Sequence, residues 1–299
     1  MQPVMANSRI SIDETLRETA RHGSAAFPFQ YYLEDVYDFD LHSIDWHWHP
    51  EVEFVCLRSG TVQCFAGGER RELTKGFGMF VNSRVVHRFE ATASAVMPNM
   101  VFSPALLAPE DSLVYRQYVQ PLLALAPPCQ LLDPGVGWQG EALARMNAVF
   151  ALWEGESPSP LLTLRLLLEL WQLLFDNLRL SPDAPEGAAA SGNQARLQVM
   201  MQYIHERYAE PLSLSDIAAS VYVSKSSALQ IFQSGIRQSP VAYLIQYRLK
   251  RAALLLGATE KSVSAIAEET GFQSAGYFCR KFRELFRTTP NGYRRMKRG

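Results

Sequence analysis

Near its end the chain repeats itself, and that repeat limits its fold more than any other feature. Val263, Ile266 and Ala267 answer Leu214, Ile217 and Ala218 at a separation of 49, while Ser224/Ser274 and Phe232/Phe282 lie 50 apart. The second copy is therefore one residue longer, in its turn. Ser213, with Asp216 three residues on, makes a capping-box start for a short helix through Ala219. Tyr222-Val223 forms a tight turn, and Ser224 caps a second helix over 225–234. Ala228, Leu229, Ile231 and Phe232 are expected to hold the core of that helix, while Lys225, Ser226, Ser227 and Gln230 point away. In the second copy Gly271-Phe272 makes the turn and Ser274 caps Ala275–Phe286. Two helices joined by a short turn, the second polar on its outer face, follow the helix-turn-helix plan. Between the copies, Ser239-Pro240 opens a helix that Gly257 closes. Its ~17 residues span roughly 25 Å, a rod able to set two recognition helices in successive major grooves ~34 Å apart.

Charge follows the same division. From Leu197 to Gly299 there are 15 Lys+Arg against 7 Asp+Glu, a net of +8; the remaining 14 basic and 23 acidic residues leave 1–196 at −9. A basic segment carrying two such units points to double-stranded DNA as its partner, and an acidic half to a different task.

The spacing Arg248-x-x-x-Ala252-x-x-Leu255-Leu256 leads to Ile266-Ala267, Gly271-Phe272, Ser274, Tyr277-Phe278, Arg280 and Phe282, then to Pro290-x-x-Tyr293-Arg294. Over about a hundred residues it resembles the signature of AraC/XylS-type transcriptional regulators. The resemblance implies a sequence-specific DNA-binding regulator, most members being activators that work through RNA polymerase. It places Lys225, Ser226, Ser227, Leu229 and Gln230 of the first unit at bases or phosphates. In the second unit it places Ala275, Gly276, Arg280, Lys281 and Arg283 there. Gln230 can pair bidentately with adenine, and Leu229, where the family often has a polar residue, can pack on a thymine methyl. Ala275 and Gly276 leave the second helix few base-reading groups, so the first unit is expected to read sequence and the second to grip the backbone.

Residues from about Phe27 to Phe102 read as short strands broken by turns at Ser59-Gly60, Gly67-Gly68, Gly76 and Gly78, the pattern of a β-sandwich or barrel. Strand alternation places His47, His49, Glu51 and Glu53 on one face. His47-x-His49-x-x-x-Glu53, then Gly60, Gly76-x-Gly78 and His87, resembles the two motifs of the cupin barrel, with Asn82 where the second motif usually has proline. In metal-binding cupins such a set, three imidazoles and a carboxylate, holds a divalent metal, and the donors suit Zn, Fe, Mn or Ni. Three readings stay open for His47, His49, Glu53 and His87: they line the site of a small-molecule effector, they bind metal, or they are structural. The aromatic residues Phe29, Tyr31, Trp46, Trp48, Phe54, Phe65 and Phe80 are expected to be core or to stack on an effector.

Trp138–Trp153 and Leu161–Leu180 are helices by their 3.6-residue period. SPDAPEGAAASG, from Ser181 to Gly192, reads as a flexible linker. The expected organisation is α+β and multidomain. A cupin-like barrel occupies 1–132, a helical dimerisation segment 133–180, a linker 181–196 and an all-α double helix-turn-helix domain 197–299. A homodimer is what the resemblance implies. Cys56, Cys64, Cys129 and Cys279 form no C-x-x-C pair, as in reduced cytoplasmic proteins. The start of the chain lacks an apolar signal core. The greasiest stretch, Leu161 to Phe175, contains Arg165 and Glu169 and is too short for a bilayer. A cytoplasmic protein without a membrane partner is expected. The rival to a ligand-responsive regulator is a metal-dependent cupin enzyme fused to a DNA-binding domain.

Overall fold

Alternating short strands can bury a face only by pairing into sheets, and the computed structural model, which describes residues 10–13, 15–178 and 186–298, has nine of them among those residues. They are β1 (Phe29–Asp35), β2 (Ser43–His47), β3 (Val52–Cys56), β4 (Thr61–Ala66), β5 (Glu69–Thr74), β6 (Gly78–Val81), β7 (His87–Ala91), β8 (Val96–Phe102) and β9 (Cys129–Leu132). A five-stranded antiparallel sheet runs β1-β8-β3-β6-β9 and a four-stranded one β2-β7-β4-β5. The inner faces meet in a core that includes Val55, Leu57, Val62, Cys64, Val81 and Phe89.

Every residue of β3 is buried, because the five-stranded sheet is covered on both sides. Its outer face packs on helices α2 (Gly137–Glu154) and α3 (Pro160–Asn177), which follow the short α1 (Gln120–Leu125). Phe29, Tyr31, Phe54, Phe80 and Phe102 join Met146, Phe150, Leu167 and Trp171 in this second core. Of the aromatics expected as core or effector-stacking, Phe29, Tyr31, Phe54 and Phe80 therefore sit between sheet and helices, away from the inner face. Asn82, the departure from the cupin motif, acquires a reason here. Its amide donates to the Leu122 and Leu123 carbonyls at the end of α1, and its oxygen accepts from the Ser83 N–H. β5, with the charged sequence ERRELT, carries no apolar alternation and pairs instead through backbone bonds with β4.

The chain divides into compact units at Ala195/Arg196. Of the stretch expected as a linker, 181–185 lies outside the described residues; from Glu186 the chain is helical, as α4 (Glu186–Arg207). Three consecutive alanines carry the highest helix propensity of any residue, which outweighs the loop-like composition. The second unit continues with α5 (Leu214–Ala219), α6 (Lys225–Ile236), α7 (Pro240–Ala258), α8 (Val263–Glu269), α9 (Ala275–Phe286) and α10 (Pro290–Arg298). Its second half is built on Leu249, Ala252, Leu256, Ile266, Phe278 and Phe282. No helix among the described residues is long and apolar enough to cross a membrane.

Candidate metal centre and nucleic-acid interface

His47, His49, Glu53 and His87 converge, with one ligand atom from each lying within 4.8 Å of all the others. They are only 3, 2, 5 and 1 % exposed. Simple strand parity does not produce this. β2 stops at His47, His49 sits in the corner before β3, and Glu53 belongs to the opposite sheet. A register shift between Ile44 and His47 lets both face inward although they are three residues apart. It also sets His47 directly across from His87, with ring centroids 4.0 Å apart. Glu51, expected on the same face, is left outside the cluster, its carboxylate 3.9 Å from the back of the His49 ring.

Hydrogen bonding fixes which way the three rings face. Nδ1 of His47 lies 2.8 Å from the Asp45 carbonyl, that of His49 3.3 Å from Glu51 O, and that of His87 2.9 Å from Val85 O. A carbonyl only accepts, so each Nδ1 is the donor and each Nε2 turns toward the cluster. Those nitrogens approach the Glu53 carboxylate: His87 Nε2 lies 2.9 Å and His49 Nε2 3.6 Å from Oε2. Both residues of the closer pair, Glu53 and His87, are buried. Burial opposes ionisation of Glu53, but His49 and His87 outweigh it and hold the carboxyl well below its usual range. Burial, reinforced by His87, pushes His47 down to about 3, so its ring is neutral. Three imidazoles aligned by backbone carbonyls, facing a deprotonated carboxylate, give a divalent transition metal the donors and the ring orientation it requires.

A second polar layer lies beside the first, and no motif or spacing pointed to it. The backbone of Leu16 and Glu18 pairs with that of Trp48, and the Trp48 indole donates to Thr15 O. This segment brings His22 to a ring distance of 5.5 Å from His49, with Glu18 3.5 Å from His22 Nε2 and the Tyr32 hydroxyl on its Nδ1. Glu34 accepts from Asn99, and burial followed by the nearby Glu53 charge raises its carboxyl to about 8. Glu34 is thus protonated near neutral pH, which leaves Glu18 and Glu53 as the charged carboxylates of this interior.

In the second unit each helix start is capped as the residue types dictate. Ser213 and Asp216 form a reciprocal capping box, and Ser224, Ser239, Ser262 and Ser274 cap α6, α7, α8 and α9. The first turn places Tyr222 at φ 55°, and the second places Gly271 at φ 83°. Val223 N–H and Phe272 N–H bond the equivalent carbonyls of Ala218 and Ala267, so the extra residue of the second turn is Gln273. Lys225, Ser226, Gln230, Ala275, Gly276, Arg280 and Arg283 are exposed on α6 and α9. Ser227 is half-buried, its hydroxyl 2.9 Å from that of Ser224 and so engaged in the cap. Leu229, expected in the core, is 39 % exposed because Ala228, Ile231 and Phe232 fill the inward stripe. Lys281 reaches Glu284 at 2.6 Å, and Arg280 lies over the Tyr277 ring at 5.3 Å.

Residues 217–296 match the family model of a helix-turn-helix domain, and residues 36–133 match that of an AraC-like ligand binding domain. The HTH-type transcriptional regulator YdeC of Bacillus subtilis is 27 % identical over 301 aligned positions, covering 95 % of this chain and 98 % of that one. This chain belongs to the AraC family of transcriptional regulators. Like other AraC-family members it joins a helix-turn-helix DNA-binding domain to an N-terminal ligand-binding domain, and the relatives are regulators, not enzymes. The melibiose operon regulatory protein of Escherichia coli K12 is 23 % identical over 84 % of this chain and 83 % of its own length. Among solved structures, an AraC-type DNA-binding protein from Chromobacterium violaceum is 32 % identical over 36 % of this chain and 96 % of its own, at a TM-score of 0.35. A ligand-free ToxT variant of Vibrio cholerae aligns over 93 % of this chain and 99 % of its own at 11 % identity and a TM-score of 0.42.

Proposed function

We propose that this AraC-family regulator responds to the occupancy of a divalent transition-metal site formed by His47, His49, Glu53 and His87. One observation carries the reading. Three imidazoles and a carboxylate, all buried, bring one ligand atom each within 4.8 Å of the others. A divalent cation among them takes all four as donors. The small-molecule effector expected of the domain is then the ion itself or a ligand that binds through it. Regulation is favoured over turnover because the relatives are regulators. Dimerisation is assigned to the outer face of α3, where Leu161 and Leu168 are 80 and 41 % exposed. Occupancy shifts DNA binding only if the ion prefers one arrangement of the chain.

Metal analysis and thermal melting of the full chain, before and after chelation, test the site. About one Zn, Fe, Mn or Ni per chain, lost in His49→Ala, is expected; metal at 100-fold its Kd should add ~2.7 kcal/mol of stability. Equal metal content and equal melting in the two proteins would leave the cluster without this role.

A further inference from the structure

Both recognition helices end in the same unfavourable way. Arg237 closes α6 at φ 56°, and Arg287 closes α9 at φ 56°. A residue just past a helix in the left-handed region is usually glycine, since a Cβ there costs stability. The two arginines are 50 residues apart, as are Ser224/Ser274 and Phe232/Phe282, so they occupy one position of the repeat. Both are exposed. Twice, then, a long cationic side chain stands where the backbone favours none.

Resting on the reading of this unit as the DNA-binding one, we infer that Arg237 and Arg287 each hold a phosphate of the DNA backbone. The surroundings of Arg287 carry the case. Arg280, Arg283 and Arg287 follow one another at i, i+3 and i+7, on one face of α9 and its last turn. They line an open cavity of about 560 Å³ with Cys279, Glu284 and Thr289. Glu284 is engaged by Lys281 at 2.6 Å, and Thr289 receives the Gly292 N–H at the start of α10. Three guanidinium groups and a helix N-terminus around one cavity make an anion site, and a duplex presents phosphates at the edges of the groove a recognition helix enters. In the first unit the equivalent positions are Gln230, Gln233 and Arg237. Arg237 is the cation of that set, beside two amides suited to bases. The rival role for an arginine at a helix end is to neutralise the last carbonyls, which would stabilise the fold without touching DNA.

The two roles separate in one experiment on the full-length protein. Binding to a mixed-sequence duplex is followed by fluorescence anisotropy across a salt series for wild type, Arg237→Gly, Arg287→Gly and the two Arg→Lys variants. Melting of the DNA-free proteins is measured alongside. Each glycine variant should bind more weakly and lower the slope of log K against log salt by about one. Its melting temperature should hold or rise, and lysine should keep the wild-type slope. An unchanged slope in both glycine variants overturns the inference, whatever the melting temperature does. A wild-type protein whose binding ignores salt would instead overturn the assignment of this unit to DNA.

Discussion

Glu53→Gln should lower the stability of the metal-free protein and abolish its response to metal. In the wild-type chain the buried Glu53 carboxylate lies 2.9 Å from His87 Nε2 and 3.6 Å from His49 Nε2, and these rings hold it well below its usual range. The fold therefore stabilises the charged form, and a neutral amide of the same shape forfeits that stabilisation. Removing one partner of a buried charge pair costs ~3–5 kcal/mol. For a unit of this size, ~1 kcal/mol moves Tm by ~2–4 °C, so the chelated variant should melt on the order of 10 °C lower. Metal in excess widens the gap, because a site missing its anionic donor no longer competes. Thermal melting of both proteins, chelated and with Zn, Mn or Ni in excess, gives the four values required. If Glu53→Gln melts with the wild type when chelated and keeps the metal response, the reasoning fails.

The carboxyl of Glu34 is raised to about 8 from an ordinary 4.5, so the folded state holds its proton more tightly than the unfolded chain. Stability linked to this group is full below about pH 4.5 and is lost as pH rises towards about 8. Glu34→Gln should flatten that part of the melting-temperature profile in chelated protein; a profile unchanged by the substitution refutes it. Gly271→Ala should destabilise the second unit by ~2 kcal/mol or more, since φ is 83° and a Cβ would meet Tyr208 O at 2.7 Å and the Arg248 guanidinium at 2.9 Å. Denaturant melting within ~0.5 kcal/mol of wild type would contradict this. Gln230→Ala should relax base preference at one position, costing ~1–3 kcal/mol against the preferred sequence. Arg280→Ala should weaken all sequences alike. Selection from a randomised duplex pool checks both, and the opposite pattern would reverse the roles of α6 and α9.

Local chemistry wrote the second unit almost completely into the sequence. Caps at Ser213, Ser224 and Ser274, the proline opening α7 and the glycine at the second turn act on neighbours a few residues away. The repeat then states each instruction twice. Leu229 escaped because a helix of four apolar residues in five leaves the inward stripe ambiguous until α5 and α7 pack on it. Alanine-rich 186–196 escaped because composition alone separates a linker from a helix poorly. In the first unit the sequence named His47, His49, Glu53 and His87 through their spacing, but tertiary structure decided how they meet. A corner at His49 and a bulge after Ile44 bring one set of side chains in from two sheets, and neither device shows in alternation. The layer of Glu18, His22, Tyr32 and Glu34 was likewise invisible, because it joins the segment of Glu18 and His22 to β1 and shares no motif. What the sequence determines by itself is what short-range capping, periodicity and residue chemistry can enforce; convergence of distant side chains on one point depends on register and closure, which only the folded sheets supply.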